Sequence, residues 1–283
     1  MRTCEEYSLD ISFPSLPTTI SRVGEFIASG RTDPAPLVEI VEDDPSVSVN
    51  VLRRANSAYY GVRRTVESID QAVRLLGFIE VCAITMIEGV DKMQQGFKTH
   101  PDLFQRAVRE AVFTGRFAQR LSNDLRLPRE WAGLSFLSGF IYTSGRLVLL
   151  HAVPDAYAAL AKETGTPLPD ADAEWRAFGA SHRSLAPEAG EHWGLPERIC
   201  AVLHAAAEPA AAPDDPLADP PATLALAIQA GSAAAGMNMA GEPFALPSGL
   251  DDLPVSADAP PVETMAMEAA DDAAAYAAEV SRF

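Results

Sequence analysis

"DDPSVSVNVLRRANSAYYG", residues 43–61, and "VESIDQAVRLLG", residues 66–77, carry the clearest structural instruction in the chain. Asp44 followed by Pro45 is a helix start: the carboxylate can accept from free backbone amides, and proline at the first helical position loses no hydrogen bond. Val47, Val51, Leu52 and Ala55 then recur at helical spacing, and Gly61 ends the run. Asn56 and Ser57, near the helix end, are residue types that bond free backbone groups, and Tyr60 offers a large surface with a polar tip. Ser68 opens a second helix with Ile69, Ala72, Val73 and Leu76 on its inner face, and Gly77 breaks it. The pattern predicts helix, sharp corner, helix.

The flanking sequence has the same period. "TISRVGEFIASG" places Ile20, Val23, Phe26 and Ile27 on one face and stops at Gly30, after an entry segment in which Pro14 and Pro17 forbid a helix. "DPAPLVEIVEDD" repeats the aspartate–proline start, with Asp33 as cap and Pro34 at the first helical position. A second apolar run continues from Gly77 to Val90. "DLFQRAVREAVFTGRFAQRLSNDL" is a long amphipathic helix whose Gly115 implies a close helix crossing, since glycine costs about 1 kcal/mol relative to alanine there. "PREWAGLSFLSGFIYTSGRLVLLHAV" is the most continuously apolar segment and is expected at the centre. "PDAYAALAKETG" and "DADAEWRAFGA" are more polar helices, and "SLAPEAGEHWGLPERICAVLHAAAEP" closes the array. No alternating strands, Asn-Gly hairpins or repeat period stand out, so an all-α fold is predicted.

Composition limits the function. With 283 residues, 48% hydrophobic and 22% charged, the chain can bury a sizeable core. Its net charge of −17 opposes non-specific attraction to nucleic acid or anionic membranes, so neither is an expected partner. No uninterrupted run of about 18 apolar residues occurs, and "MRTCEEYSLD" lacks the basic and apolar parts of a signal peptide, so a cytoplasmic location is expected. Cys4, Cys82 and Cys200 are too far apart for a CxxC pair and read as plain thiols. From Ala205 onward there are 13 acidic residues and one basic, Arg282. "PAAAPDDPLADPPA" there reads as a linker, with two further helices expected beyond it, in "TLALAIQAGSAAAGMNMAG" and "VETMAMEAADDAAAYAAEVSRF".

The opening stretch resembles the hallmark of the HDOD domain, a bacterial relative of the HD phosphohydrolases. The likeness runs through Asp44, Pro45, Leu52, Ala55, Asn56, Ser57, Ala58, Tyr60, Gly61, Ser68, Ile69, Ala72, Leu75, Leu76 and Gly77. "FLSGFIYTSGRLVLL" and "HWGLPERICAVLHAA" resemble the central and closing helices of that family. The resemblance implies an HD-domain-like multi-helix array with an N-terminal helical subdomain, over residues 9–209, followed by an acidic extension, residues 210–283.

It also implies where a metal site would stand. HD phosphohydrolases hold divalent metal with a histidine, a His-Asp pair and further ligands that activate water. The resemblance sets Tyr142 and Thr143 at the pair, Glu110 at the first histidine, and Ala206 and Ala207 at a later histidine pair. Neither member of the Tyr142–Thr143 pair is a usual ligand for such metals. Glu110, His182 and His204 are the residues from which a residual site could be built. The bland alternative is that the histidines are core or surface residues: His151 at a helix C-terminus, His100 and His192 as surface residues or caps. No P-loop, GxSxG, HExxH or GxGxxG occurs.

The expectation is a non-catalytic module of bacterial signal transduction, without a catalytic residue, metal or cofactor. Its partner would be a kinase, response regulator or cyclic-dinucleotide enzyme. Two alternatives stay open. One is a small-molecule sensor whose degenerate pocket binds a nucleotide, with Arg146 and Arg116 on its phosphates; the other is a divergent metal-dependent phosphohydrolase. Asn56 and Tyr60 have a structural reading, fixing the corner, and a ligand-binding one.

Overall fold

The computed structural model describes residues 11–31, 33–57, 60–62, 64–93, 97–166, 168–208, 218–240, 261, 264–271 and 274. All regular structure among them is helical. The chain divides into two compact units, Ser15–Met93 and the remainder.

The smaller unit holds α1 (Thr18–Ala28), α2 (Ala35–Glu42), α3 (Pro45–Ala55), α4 (Ile69–Leu76) and α5 (Phe78–Met93). Ile20, Val23, Leu37, Val41, Val47, Val51, Ala72 and Val81 bury its core. At the head of α3 the Asp44 carboxylate accepts from the amides of Ser46 at 3.2 Å and Val47 at 3.4 Å, and from the Ser46 hydroxyl at 2.9 Å. Partial burial works to raise its pKa; the Lys92 ammonium and these donors outweigh it and hold the carboxyl below its usual value. The expected start of α2 moves by one residue, since Asp33 accepts from Ala35 N at 3.1 Å and the helix runs from Ala35.

The corner after α3 is a side-chain clamp. Asn56 Nδ2 donates to the carbonyls of Leu52 and Val66, each at 2.9 Å, and its Oδ1 accepts from Val66 N at 2.8 Å. One amide thus ties the end of α3 to the segment entering α4. Gly61 turns the chain with φ +55°, where a side chain would be strained. The Arg54 guanidinium lies 6.0 Å from the Tyr60 ring. Asn56 therefore serves the backbone, as the structural reading expects. Ala58, also part of the family pattern, lies outside the described residues.

The larger unit holds α6 (Pro101–Asp124), α7 (Arg129–Ala152), α8 (Pro154–Thr164), α9 (Ala171–Phe178), α10 (His182–His192), α11 (Glu197–Ala207) and α12 (Pro220–Ala240), with a further helical turn pair at 264–271. Residues 133–152 are long and apolar enough by composition to cross a membrane, but 94% of that window is buried in protein: α7 is the central helix. It packs most extensively against α6. Gly115 lies at their crossing, as its position in an amphipathic helix implies; a Cβ on Gly139 would sit 3.0 Å from Gly115 Cα. The closing segment forms two helices, because Gly194 turns the chain with φ +66° and Pro196 precedes α11.

Part of the acidic extension belongs to this same body. Leu224, Leu226, Ile228 and Ala234 of α12 are fully or almost fully buried against α6 and α11. Gln229 Nε2 donates to Ala206 O at 2.8 Å. Met265, Ala266 and Ala269 are buried too, and Arg120 of α6 meets Glu268 at 3.1 Å.

Candidate functional site

α7 carries the candidate site in its second half. Tyr142 and Thr143, at the positions of a metal-binding pair, are both fully buried. Tyr142 accepts from Arg183 Nε at 3.0 Å and meets the His182 ring edge-on, centroids 5.9 Å apart. Burial raises its pKa, with the Arg183 charge opposing. The Thr143 hydroxyl donates to Phe140 O at 3.1 Å within its own helix. Both side chains are committed to the protein.

One turn on, Arg146 points into the core, and its charge organises the site. Nε donates to Glu110 Oε2 at 2.5 Å and Nη2 to Glu110 Oε1 at 3.3 Å, a side-on pair with α6. Nη1 reaches Glu174 Oε1 of α9 at 2.5 Å, the Tyr157 hydroxyl of α8 at 3.1 Å, and the Pro169 carbonyl. Tyr157 in turn donates to Glu174 Oε1 at 2.7 Å. The second oxygen of Glu174 accepts from His182 N at 2.7 Å and lies 2.6 Å from His182 Nδ1, at the head of α10. Ser232 of α12 closes the ring, donating to Glu110 Oε1 at 3.0 Å.

The carboxylates of Glu110 and Glu174 are 1% and 0% exposed, and the guanidinium is 6% exposed, so this is a desolvated charge network. Burial works to raise the Glu174 pKa; the charges of His182 and Arg146 and their hydrogen bonds prevail and hold it at about 2. Burial likewise disfavours the charged form of Arg146, but Glu110 and Glu174 drive its pKa well above the ordinary value. Burial pushes the Tyr157 phenol up strongly, Arg146 opposing and Glu174 adding to the rise. With Glu174 ionised, its oxygens can only accept, so His182 Nδ1 carries the proton that faces it.

The approach of α10 that delivers His182 requires Gly145. A Cβ there would fall 2.1 Å from the His182 carbonyl oxygen, far inside any possible contact. Ser181 caps α10 in a box with Ser184, which fixes the amide of His182 toward Glu174.

Of the residues singled out in the sequence, Glu110 and His182 do enter one network, joined through Arg146 and Glu174. His204 does not: it pairs on the surface with Glu191 at 2.8 Å. Arg146 has its donors spent on protein acceptors, so it is not free for a phosphate. Arg116 lies 5.1 Å from the Phe136 ring and bonds Gln119, outside the network. His192 stacks on Phe13 at 4.8 Å, His100 pairs with Asp155 at 2.9 Å, and His151 stands 5.8 Å from Phe97. Ala206 is buried on α11.

Glu174, Tyr157 and Ser232 were not readable as site residues. The one usable signal was Arg146 itself: a lone arginine in "SGRLVLL" must find buried counter-charges.

A divalent metal does not fit these residues. Glu110 and Glu174 spend their carboxylate oxygens on Arg146, Tyr157, Ser232 and His182, and the guanidinium between them would repel a second cation. Among the described residues no three His, Cys, Asp or Glu side chains converge as a ligand set.

The comparisons with known proteins agree with this architecture. The structure superposes on an HDOD domain protein of unknown function from Geobacter sulfurreducens with a TM-score of 0.62 and 16% identity, covering 96% of this chain and 89% of that one. A Shewanella amazonensis protein provisionally named a phosphohydrolase gives 0.58 and 16%, covering 93% of each chain. At this identity the likeness concerns the fold alone. An uncharacterized protein of Treponema pallidum is 20% identical over 190 residues, which are 66% of this chain but only 36% of that protein. The family model for the HDOD domain matches residues 13–209, and the chain belongs to the HDOD domain family.

Proposed function

We propose that the protein is a non-catalytic regulatory module of bacterial signal transduction, acting through contacts with a signalling protein such as a kinase, response regulator or cyclic-dinucleotide enzyme. The observation that supports this most is the occupation of the degenerate site by Arg146, which supplies a fixed internal cation between Glu110 and Glu174. A hydrolase of this fold needs an exchangeable metal and its water. Here the space between Glu110 and Glu174 is filled by a side chain whose neighbours are Tyr157, a backbone carbonyl and two engaged carboxylates. The network also speaks against a nucleotide within this pocket, because the guanidinium it would use is already paired.

The test combines metal analysis with a phosphodiesterase assay on the purified full chain, supplied in turn with Mn²⁺, Fe²⁺, Mg²⁺ and Zn²⁺. The expected result is no stoichiometric metal and no turnover above the buffer rate. Metal-dependent turnover that Glu110→Gln or His182→Ala abolishes overturns the proposal. Affinity capture with the full chain is expected to retrieve a defined signalling protein, and its identity would name the pathway.

A further inference from the structure

The larger unit carries a second concavity, away from the Arg146 network. It is a surface cleft of about 380 Å³ between the start of α6 and the second half of α8. Arg106 from α6 and Lys162 from α8 line it together with the hydroxyl-bearing Thr99 and Thr166. Neither cation has an ion-pair partner among the described residues. The one carboxylate in the lining is Asp102, so two cations face one anion there in a chain of net charge −17. His100 at the rim is already tied to Asp155 at 2.9 Å.

We infer that this cleft is a binding site for a small organic phosphate, a monoester of mononucleotide size or below. Two cations from different helices, neither ion-paired to another described residue, match the nearly two negative charges of a phosphomonoester at neutral pH. Arginine offers a planar fork to two phosphate oxygens, lysine a point charge, and the Thr99 hydroxyl a further donor, while the Thr166 hydroxyl is bonded to Thr164 at 3.0 Å. Ala158 and Ala161 give a flat, side-chain-poor wall on which the rest of the ester can lie. The volume is at the small end of ligand pockets, which favours a mononucleotide over a cyclic dinucleotide. The inference goes beyond the regulatory reading by supplying an input, and it does not depend on the absence of catalysis.

The experiment is an amide NMR titration of the full chain at low ionic strength with inorganic phosphate, AMP and cyclic diguanylate. Expected are saturable shifts for AMP centred on Thr99, Leu103, Arg106, Ala158 and Ala161, weaker binding of phosphate on the same amides, and weaker binding of the dinucleotide. Arg106→Gln and Lys162→Gln should each weaken AMP by about tenfold, the scale of one charge-assisted contact. Arg176→Gln on α9 should leave it unchanged. No saturable shift with AMP or phosphate, wild-type affinity in either cleft variant, or preference for the dinucleotide overturns the assignment. These substitutions lie on exposed side chains, so loss of binding is separable from loss of fold by the unperturbed remainder of the spectrum.

Discussion

Replacing Glu174 by glutamine keeps the shape of the side chain and removes its charge. The carboxylate is fully buried and accepts from Arg146, Tyr157 and both the amide and ring of His182. Glutamine leaves Arg146 with half its counter-charge and turns an amide N–H₂ toward groups that are themselves donors. Breaking one partner of a buried ion pair costs about 3–5 kcal/mol. A second route gives a similar figure: a pKa held at about 2 instead of 4.5 corresponds to about 3 kcal/mol at ~1.4 kcal/mol per unit. The folded-state pKa lies below the unfolded one. The contribution is therefore complete above about pH 4.5 and disappears as pH falls toward 2. Urea unfolding of wild type and Glu174→Gln, followed by far-ultraviolet circular dichroism at stepped pH, measures both. Carboxylates outside the network cancel in the difference. A gap below about 1 kcal/mol at pH 7, or one that fails to narrow on acidification, refutes the charge network as the organiser of this core.

Gly145→Ala should prevent native packing of α10 on α7, because the new methyl would meet the His182 carbonyl at 2.1 Å; low soluble yield and loss of near-ultraviolet dichroism are the expected readouts. Asn56→Ala removes three hydrogen bonds at the corner and should cost about 1–2 kcal/mol, with faster hydrogen exchange at the Val66 amide. Cys82 is buried, which pushes its thiol up to about 12, so a disulfide reagent at pH 8 should leave it unmodified until denaturant is added. The double change Tyr142→His with Thr143→Asp should produce no phosphodiesterase turnover, since Arg146 still holds the place beside it; measurable turnover would count against the non-catalytic reading.

Local signals made the helices and the corner legible. Asp44–Pro45, Gly61, Ser68 and Gly77 act on backbone within a few residues, and Asn56 on the carbonyl of Leu52 and the backbone of Val66, ten residues on. Gly115 announced a tight crossing because glycine inside a helix has a cost that only close packing offsets. The network was illegible because it joins residues 110, 146, 157, 174, 182 and 232, brought together only by packing. "DADAEWRAFGA" looks like a solvated helix, and nothing in its spacing distinguishes Glu174, fully buried, from its neighbour Trp175, 55% exposed. The role of α12 was hidden for a related reason. An alanine-rich helix has no amphipathic stripe to read, and its burial depends on grooves of α6 and α11 that the sequence does not display.

The same network explains how a polar centre can be held inside the larger unit by one internal cation. Glu110, Glu174 and His182 would be costly to bury uncompensated, and among the described residues no three ligating side chains converge to hold a metal that could compensate them. One arginine on α7 resolves this, since a guanidinium presents its donors in fixed directions to partners on several helices. Through it α7 is bound to α6, α8 and α9, then through Glu174 to α10 and through Glu110 to α12. An apolar filling of the same volume could match the stability but would not specify which helices meet, or at what register. Glu110, Glu174 and His182 thereby become part of a geometric lock on the larger unit, which holds the helices they join in one arrangement.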